Sequence, residues 1–309
     1  MSNSVNIYYH PKYNIDLGIF NKLHPFDGKK FAKIYNALKS LPDIQFKQPS
    51  GPVTQEQINH FVNELMQRLL KGKRFILGAL EVPFIPLLPY FIIDNRILLP
   101  MRWAVAGTIA AANDALDGNN SWNLGGGYHH ASPHSAEGFC IYNDIGITVK
   151  GLYETRRIDE SDKILIIDID AHQGNGNCHT FMLNRNVTIL DIYNADIYPN
   201  SRAAIERVDI NVPLSMGTGG AEYLGALNNA LTKLDSAYRL AFVVAGSDVI
   251  DTDPLGGLKL SIKDVVSRDK MVVDILRSLS IPTVILGGGG YSANSAIAVS
   301  KSLRELYVY

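Results

Sequence analysis

Ile164-Leu165-Ile166-Ile167-Asp168-Ile169-Asp170-Ala171-His172-Gln173-Gly174-Asn175-Gly176 decides how the rest of the chain is read. Four consecutive aliphatic side chains with no polar residue among them suit a strand buried on both faces of a parallel sheet. Polar groups then arrive at alternate positions. If the extended backbone persists, its period of two projects Asp168, Asp170 and His172 in one direction. Two carboxylates and an imidazole at the end of so apolar a run are costly unless a cation joins them, and a divalent metal is the simplest one. The alternative is a strand-end carboxylate that caps the next helix, which suits a lone Asp better than Asp-x-Asp-x-His.

Outward from this stretch, Leu240-Ala241-Phe242-Val243-Val244-Ala245-Gly246-Ser247-Asp248 repeats the design, an apolar run ending in an acid. Pro282-Thr283-Val284-Ile285-Leu286 leads into Gly287-Gly288-Gly289-Gly290-Tyr291, and Asn123-Leu124-Gly125-Gly126-Gly127 reads as a strand running into a glycine turn before Tyr128-His129-His130. Residues 5–9 and 187–192 supply further strands. Helices are predicted over 28–41, where Phe31, Ile34, Leu38 and Leu41 recur at helical spacing and Asp27 is the cap, and over 52–70, with Thr54 and Gln57 as a capping box. Others are predicted over 101–116, 145–153, 222–240, 263–279 and 294–306. Residues 82–100 carry Pro83, Pro86, Pro89 and Pro100 and are predicted to form a long irregular connection over apolar surface. His24 reads as a hydrogen-bonded surface residue rather than a ligand. This alternation predicts one domain spanning 1–309, a mostly parallel sheet with helices on both faces, and polar groups at the strands' carboxyl ends, where such sheets bind ligands.

The chain has 309 residues, 46% of them hydrophobic, with 29 Lys+Arg against 30 Asp+Glu. So even a balance gives no electrostatic footprint for nucleic acid, and no basic run points to a membrane surface. The first residues lack the layout of a signal peptide, so a soluble cytoplasmic protein is expected. Two cysteines, Cys140 and Cys178, are too few for a disulfide framework and are expected to be buried free thiols rather than nucleophiles. The four-glycine run lies near the C-terminus and ends in Tyr291, which is the wrong context for a dinucleotide fingerprint.

Gly126-Gly127-Tyr128-His129-His130, Gly138-Phe139-Cys140, the stretch from Asp168 to Gly176, Gly246-Ser247-Asp248 and Gly288-Gly289-Gly290-Tyr291, in that order, resemble the zinc-dependent histone deacetylases. Lys22-Leu23-His24-Pro25-Phe26-Asp27, Asp191-Ile192-Tyr193-Asn194 and Ile197-Tyr198-Pro199 resemble the class IV (histone deacetylase eleven-like) branch. The resemblance implies a three-layer arginase/deacetylase-like α/β fold that hydrolyses acyl-lysine amides in proteins or peptides, with long fatty acyl groups preferred in class IV. It implies a catalytic Zn2+ on Asp170, His172 and Asp248, and His130 as the group that takes and returns the proton. His129 would assist with Asp168 as its partner, Tyr291 would polarise the acyl carbonyl, and Gly138 and Phe139 would line the substrate tunnel. It also implies a potassium ion (K+) near Asp168, Asp170, His172, Asp191 and Ile192, and a second at backbone carbonyls around Phe181, Asn184 and Val187.

The chemistry of that ligand set is coherent, since three oxygen and nitrogen donors leave a zinc position open for water. One departure stands out: the best-known deacetylases carry an acid at the position of Asn175, whereas class IV resembles this chain in having Asn there. An amide orients an imidazole without stabilising its cation, so His130 is expected to be the weaker base of the two arrangements. Two rival readings are an amidohydrolase of small acylated amines, expected to shield its tunnel with an insertion or by dimerisation, and a non-catalytic zinc-containing acyl-lysine binding module, which need not keep a base and an oxyanion donor. The apolar residues of 82–100 offer a place for a long acyl chain.

Overall fold

The computed structural model describes residues 4–16 and 26–308, so His24 and the first four residues of the 22–27 motif lie outside the described residues. Among the described residues eight strands, β1 (Val5–Tyr8), β2 (Ile44–Lys47), β3 (Asn120–Asn123), β4 (Lys163–Asp168), β5 (Val187–Asn194), β6 (Ile210–Leu214), β7 (Tyr238–Val244) and β8 (Thr283–Leu286), form one sheet. Its order is β2-β1-β3-β8-β7-β4-β5-β6, and every pairing is parallel. Parallel strands need crossovers, and helices supply them on both faces.

The central strand shows why. Ile164 and Ile166 of β4 join one apolar cluster with Ala111, Ala112, Ile145 and Val149, from helices Leu99–Leu116 and Asp144–Glu154. Leu165 and Ile167 face the other way, into a cluster with Ile34, Leu227, Val272 and Leu303 from helices Lys30–Leu38, Gly220–Leu231, Ile262–Ser278 and Ser295–Tyr307. All four β4 residues are fully buried, each contributing on the order of 1.5–3 kcal/mol relative to exposure. A third cluster, with Ile58, Met66, Ile76, Ile93 and Ile97, packs residues 53–105 beside the sheet. Among the described residues no helix is long and apolar enough to cross a membrane.

Several boundaries differ from the sequence reading. The helix expected over 52–70 is two, Gln55–Phe61 and Glu64–Leu69, because Val62 is extended and Asn63 caps the second helix by accepting from the Met66 N–H at 2.8 Å. The 82–100 connection turns helical at Tyr90 and runs into the Leu99–Leu116 helix through a π turn over Asp94–Leu98, where the Leu99 N–H bonds the Asp94 carbonyl. That wider turn accommodates Pro100, which has no N–H to give. The strand expected at Asn123 ends there instead, since Gly126 and Gly127 take φ of 78° and 75°. The 222–240 helix stops at Leu231, and a turn closed by Asp235, accepting from the Ala237 N–H, hands the chain to β7. Asp27 does not cap its helix, since its side chain accepts from Lys29 N ahead of it.

Register fixes where the ends of the strands lie. Asp168 is level with Asp191 and with Val244, Val244 with Leu286, and Leu286 with Asn123. The segments that follow β3, β8, β7, β4 and β5 therefore leave the sheet side by side, at its carboxyl edge.

Candidate active site

Asp170, His172 and Asp248 meet at that edge with one ligand atom from each within 4.8 Å of the others. Asp170 and Asp248 are fully buried. His172 Nδ1 lies 3.2 Å from Asp170 Oδ1 and 3.0 Å from Asp248 Oδ2. Backbone groups aim the carboxylates: Gly289 N–H donates to Asp170 Oδ2 at 2.7 Å and Ala171 N–H to Asp248 Oδ1 at 3.0 Å. Gly246 permits the approach, since a Cβ there would stand 2.0 Å from Asp170 Oδ2. Burial alone would push His172 down, but hydrogen bonds and charges from Asp170 and Asp248 raise it to about 11. Two oxygen donors and one nitrogen, buried and converging, suit a divalent cation that would replace that proton.

Asp168 does not belong to this trio. β4 ends at Asp168, the Asp170 N–H turns back onto Asp168 Oδ1 at 3.3 Å, and the three side chains of Asp-x-Asp-x-His gather at one edge without forming one row. Asp168 Oδ2 instead meets His129 Nδ1 at 2.8 Å. Burial would lower His129, but the charges of Asp168 and Asp170 raise it to about 9. The next residue behaves oppositely: burial and the charges of His129 and His172 hold His130 well below the usual range, and Asn175 Oδ1 meets its Nδ1 at 2.7 Å. The His129 and His130 ring centroids are 4.1 Å apart.

Tyr291 closes the far side, its ring 6.5 Å from that of His172 and 5.6 Å from that of Phe139. Burial, with the nearby Asp248 and Asp170 charges, keeps its hydroxyl a phenol well beyond its ordinary range, so it can donate. Gly138 sits with φ of 54° against His130, where a Cβ would come within 2.5 Å of the ring, and Phe139 follows in the same left-handed region. Two openings flank the histidines. One is bounded by His172, Gly138, Phe139, Tyr198 and Tyr291. The other is an apolar cavity of about 90 Å3 lined by Phe26, Phe31, Leu80, Val82, Ile97 and Met101, several times the ~10–15 Å3 that one water needs. Of 82–100, then, Val82 and Ile97 reach it, while Leu87 and Phe91 stay 93% and 63% exposed.

Asp191 stands level with Asp168, fully buried, its carboxyl pushed well upward by burial and by the Asp168 charge; Oδ2 accepts from Gly174 N–H at 2.9 Å, and Oδ1 has no hydrogen bond among the described residues. At the carbonyls expected to hold the second potassium the structure has a side-chain cation. The buried Arg207 guanidinium already takes the carbonyls of Phe181, Asn184 and Val187 at 2.9, 3.0 and 2.6 Å, and pairs with Asp209 at 2.8 Å. Both cysteines are buried and unpaired, and burial raises both thiols, so neither is an activated thiolate.

Sequence reasoning passed over four supports. Lys30, 1% exposed, donates from Nζ to the Gly288 and Gly289 carbonyls at 3.1 Å each, fixing the loop before Tyr291. Its signal was present, a charged residue on the Lys30, Ile34, Leu38 stripe of an apolar helix face. Asp253 accepts from the Tyr291 and Ser292 N–H groups, and Asp144 from those of Gly127 and Tyr128. Glu137 accepts from Asn175 Nδ2 at 2.7 Å. None of these three stands in a periodic pattern.

The comparisons with known proteins bear on the whole of this arrangement. The histone deacetylase domain family matches residues 24–306. Histone deacetylase 2 of Arabidopsis thaliana is 35% identical over 306 residues, 98% of this chain and 78% of that protein. The acetoin utilization protein AcuC of Staphylococcus aureus is 32% identical over 202 residues, 61% of this chain and 51% of that protein, so the match spans about half of AcuC. Among solved structures, the HD domain of HDA15 matches with a TM-score of 0.76 over 98% of this chain and 89% of that one. At 21% identity that likeness speaks for the fold alone, the arginase/deacetylase architecture. The extent of these matches, reaching from the first helix to the last, means that the chain belongs to the histone deacetylase domain family.

Proposed function

We propose that this chain is a single-domain, zinc-dependent protein-lysine deacylase of the class IV type that hydrolyses acyl-lysine amides and prefers long fatty acyl groups. The observation that carries the reading is the buried Asp170, His172, Asp248 cluster set beside His129 on a carboxylate, His130 on an amide and the phenol of Tyr291. Zinc held there would act as a Lewis acid and lower the pKa of a bound water toward about 7. His130, held neutral, accepts a proton and later returns it to the leaving lysine amine. His129, held cationic by Asp168, supplies positive charge beside the developing oxyanion, and the Tyr291 hydroxyl donates to the same oxygen. Gly138 and Phe139 wall the lysine channel, with the Gly138 backbone toward the substrate amide. A potassium ion beside Asp168 and Asp191 is part of the proposal, supported by the unpartnered Asp191 Oδ1 in a buried site with two carboxylates.

Chain-length preference rests on the apolar cavity behind the histidines. Each buried methylene contributes up to about 0.8 kcal/mol, so a long tail can outweigh a weak base. Purified protein should carry about one zinc per chain, and Asp248→Ala should lose both metal and activity. Kinetics on acetyl-, dodecanoyl- and myristoyl-lysine peptides of one sequence should give the higher kcat/KM to the long chains. An acetyl preference removes the chain-length claim, and a zinc-loaded protein inert toward all three removes the deacylase reading.

A further inference from the structure

The amide of Asn175 has two ends of opposite hydrogen-bonding sense, and its neighbours use both: Oδ1 is 2.7 Å from His130 Nδ1 and Nδ2 is 2.7 Å from Glu137 Oε1. We infer that Glu137 is a positioning residue, which fixes the orientation of the Asn175 amide and through it the tautomer of His130. The inference deepens the proposed deacylase reading and rests on it for the role of His130.

The argument is one of satisfiable donors and acceptors. A carboxylate oxygen accepts and does not donate, so the NH2 end of Asn175 must face Glu137. That leaves the carbonyl end to His130, whose Nδ1 must then carry the hydrogen, and a neutral imidazole with Nδ1–H has its lone pair on Nε2. With the amide reversed, Nδ2 would donate to Nδ1, the hydrogen would move to Nε2, and the ring would have no proton-accepting nitrogen left for substrate chemistry. The reversed amide would also press its oxygen against a carboxylate oxygen. Asn175 is 2% exposed, so no solvent stands in for a lost partner.

Glu137 is itself held in place. Its N–H and carbonyl exchange hydrogen bonds with those of Cys140, at 3.1 and 2.9 Å, which ties it to the turn carrying Gly138 and Phe139. The Tyr198 ring lies 5.3 Å from that of His130, with its hydroxyl close enough to Glu137 to feel that charge. Burial and the Glu137 charge keep that hydroxyl a phenol, hence a donor. An acid at position 175 would need no such arrangement, because both its oxygens accept. The amide needs an arbiter, and the half-buried Glu137 is placed to be one.

The test uses the full zinc-loaded chain and four variants, Glu137→Ala, Glu137→Gln, Asn175→Asp, and Asn175→Asp combined with Glu137→Ala. A catalytic imidazole set in the wrong tautomer costs on the order of 10⁴-fold in serine-protease triads, so partial loss of orientation in Glu137→Ala should lower kcat by about tenfold or more. KM for the acyl-peptide and zinc content should stay within about threefold. Glu137→Gln, which can still accept through its amide oxygen, should recover most of the loss. With Asp at 175 the cost of removing Glu137 should shrink to under about threefold, the coupling that two residues in one network show. With 15N-labelled histidine at pH 8, the wild type should show His130 protonated at Nδ1 and bare at Nε2, and Glu137→Ala should shift signal toward the other tautomer. Equal losses in both backgrounds, or an unchanged tautomer signal in Glu137→Ala, would overturn the role. A protein that cleaves no acyl-peptide defeats the deacylase reading, and the tautomer spectra then still decide on Glu137.

Discussion

His129 and His130 are consecutive, both buried, and each has one side-chain partner on Nδ1, at 2.8 and 2.7 Å. They nevertheless lie on opposite sides of neutrality, the first raised to about 9 and the second held well below the ordinary value. Geometry cannot be the cause, since the two hydrogen bonds match within 0.1 Å. The difference is the charge of the partner, a carboxylate for one ring and an amide for the other, reinforced because a cationic His129 itself disfavours a proton on His130. On the proposed mechanism the two identical side chains have separate duties, the pattern by which acid and base roles are told apart in a site.

The largest disturbance of this pairing should come from His130→Ala, which removes the proposed proton acceptor. Turnover should fall on the order of 10²–10⁴-fold with zinc content unchanged, read by steady-state kinetics and elemental analysis. Tyr291→Phe sets the scale for the oxyanion side, with an expected loss of roughly 10²–10³-fold and unchanged metal. A phenylalanine variant that turns over within a few-fold of wild type removes Tyr291 from the mechanism. Asp168→Asn makes the first pair resemble the second. His129 then loses the main charge that raises it, and a rate that falls as pH rises through about 9 should begin falling at lower pH. The cost at pH 8 should be about tenfold, and an unmoved alkaline limb would show that the His129 charge is not used. Asn175→Asp makes the converse change and should alter the rate least. A carboxylate beside His130 raises its pKa, and because the base works deprotonated, the acid limb of the pH profile should move up by roughly one unit. A stationary limb would mean that residue 175 does not govern His130.

The centre of the sheet was legible because its strands are apolar on both sides. β4 and β7 announce themselves as runs such as Ile164 to Ile167. The edge strands were not, since β2 (Ile-Gln-Phe-Lys) and β6 (Ile-Asn-Val-Pro-Leu) are short and partly exposed, and Pro213 reads against a strand although an edge tolerates it. Residues 52–100 misled in a different way, because Asn63 and Pro100 act through local geometry that periodicity does not report. At the site, the acids and histidines stood in motifs just past predicted strands. Glu137 and Asp253 lie on loops, and their value depends on which backbone or amide group the fold brings opposite them. A chain of spacings carries no record of that.

The guanidinium of Arg207 has a thermodynamic consequence of its own. An ion drawn from the medium stabilises a fold by an amount that grows with the logarithm of its concentration, so each such site makes stability a function of salt composition. Arg207 brings its positive charge on a covalent stem to the Phe181, Asn184 and Val187 carbonyls, and its local concentration does not change with the buffer. This corner of the molecule thus holds a cation that does not exchange with the medium, and a dependence of melting temperature on monovalent cations is expected to arise elsewhere in the fold.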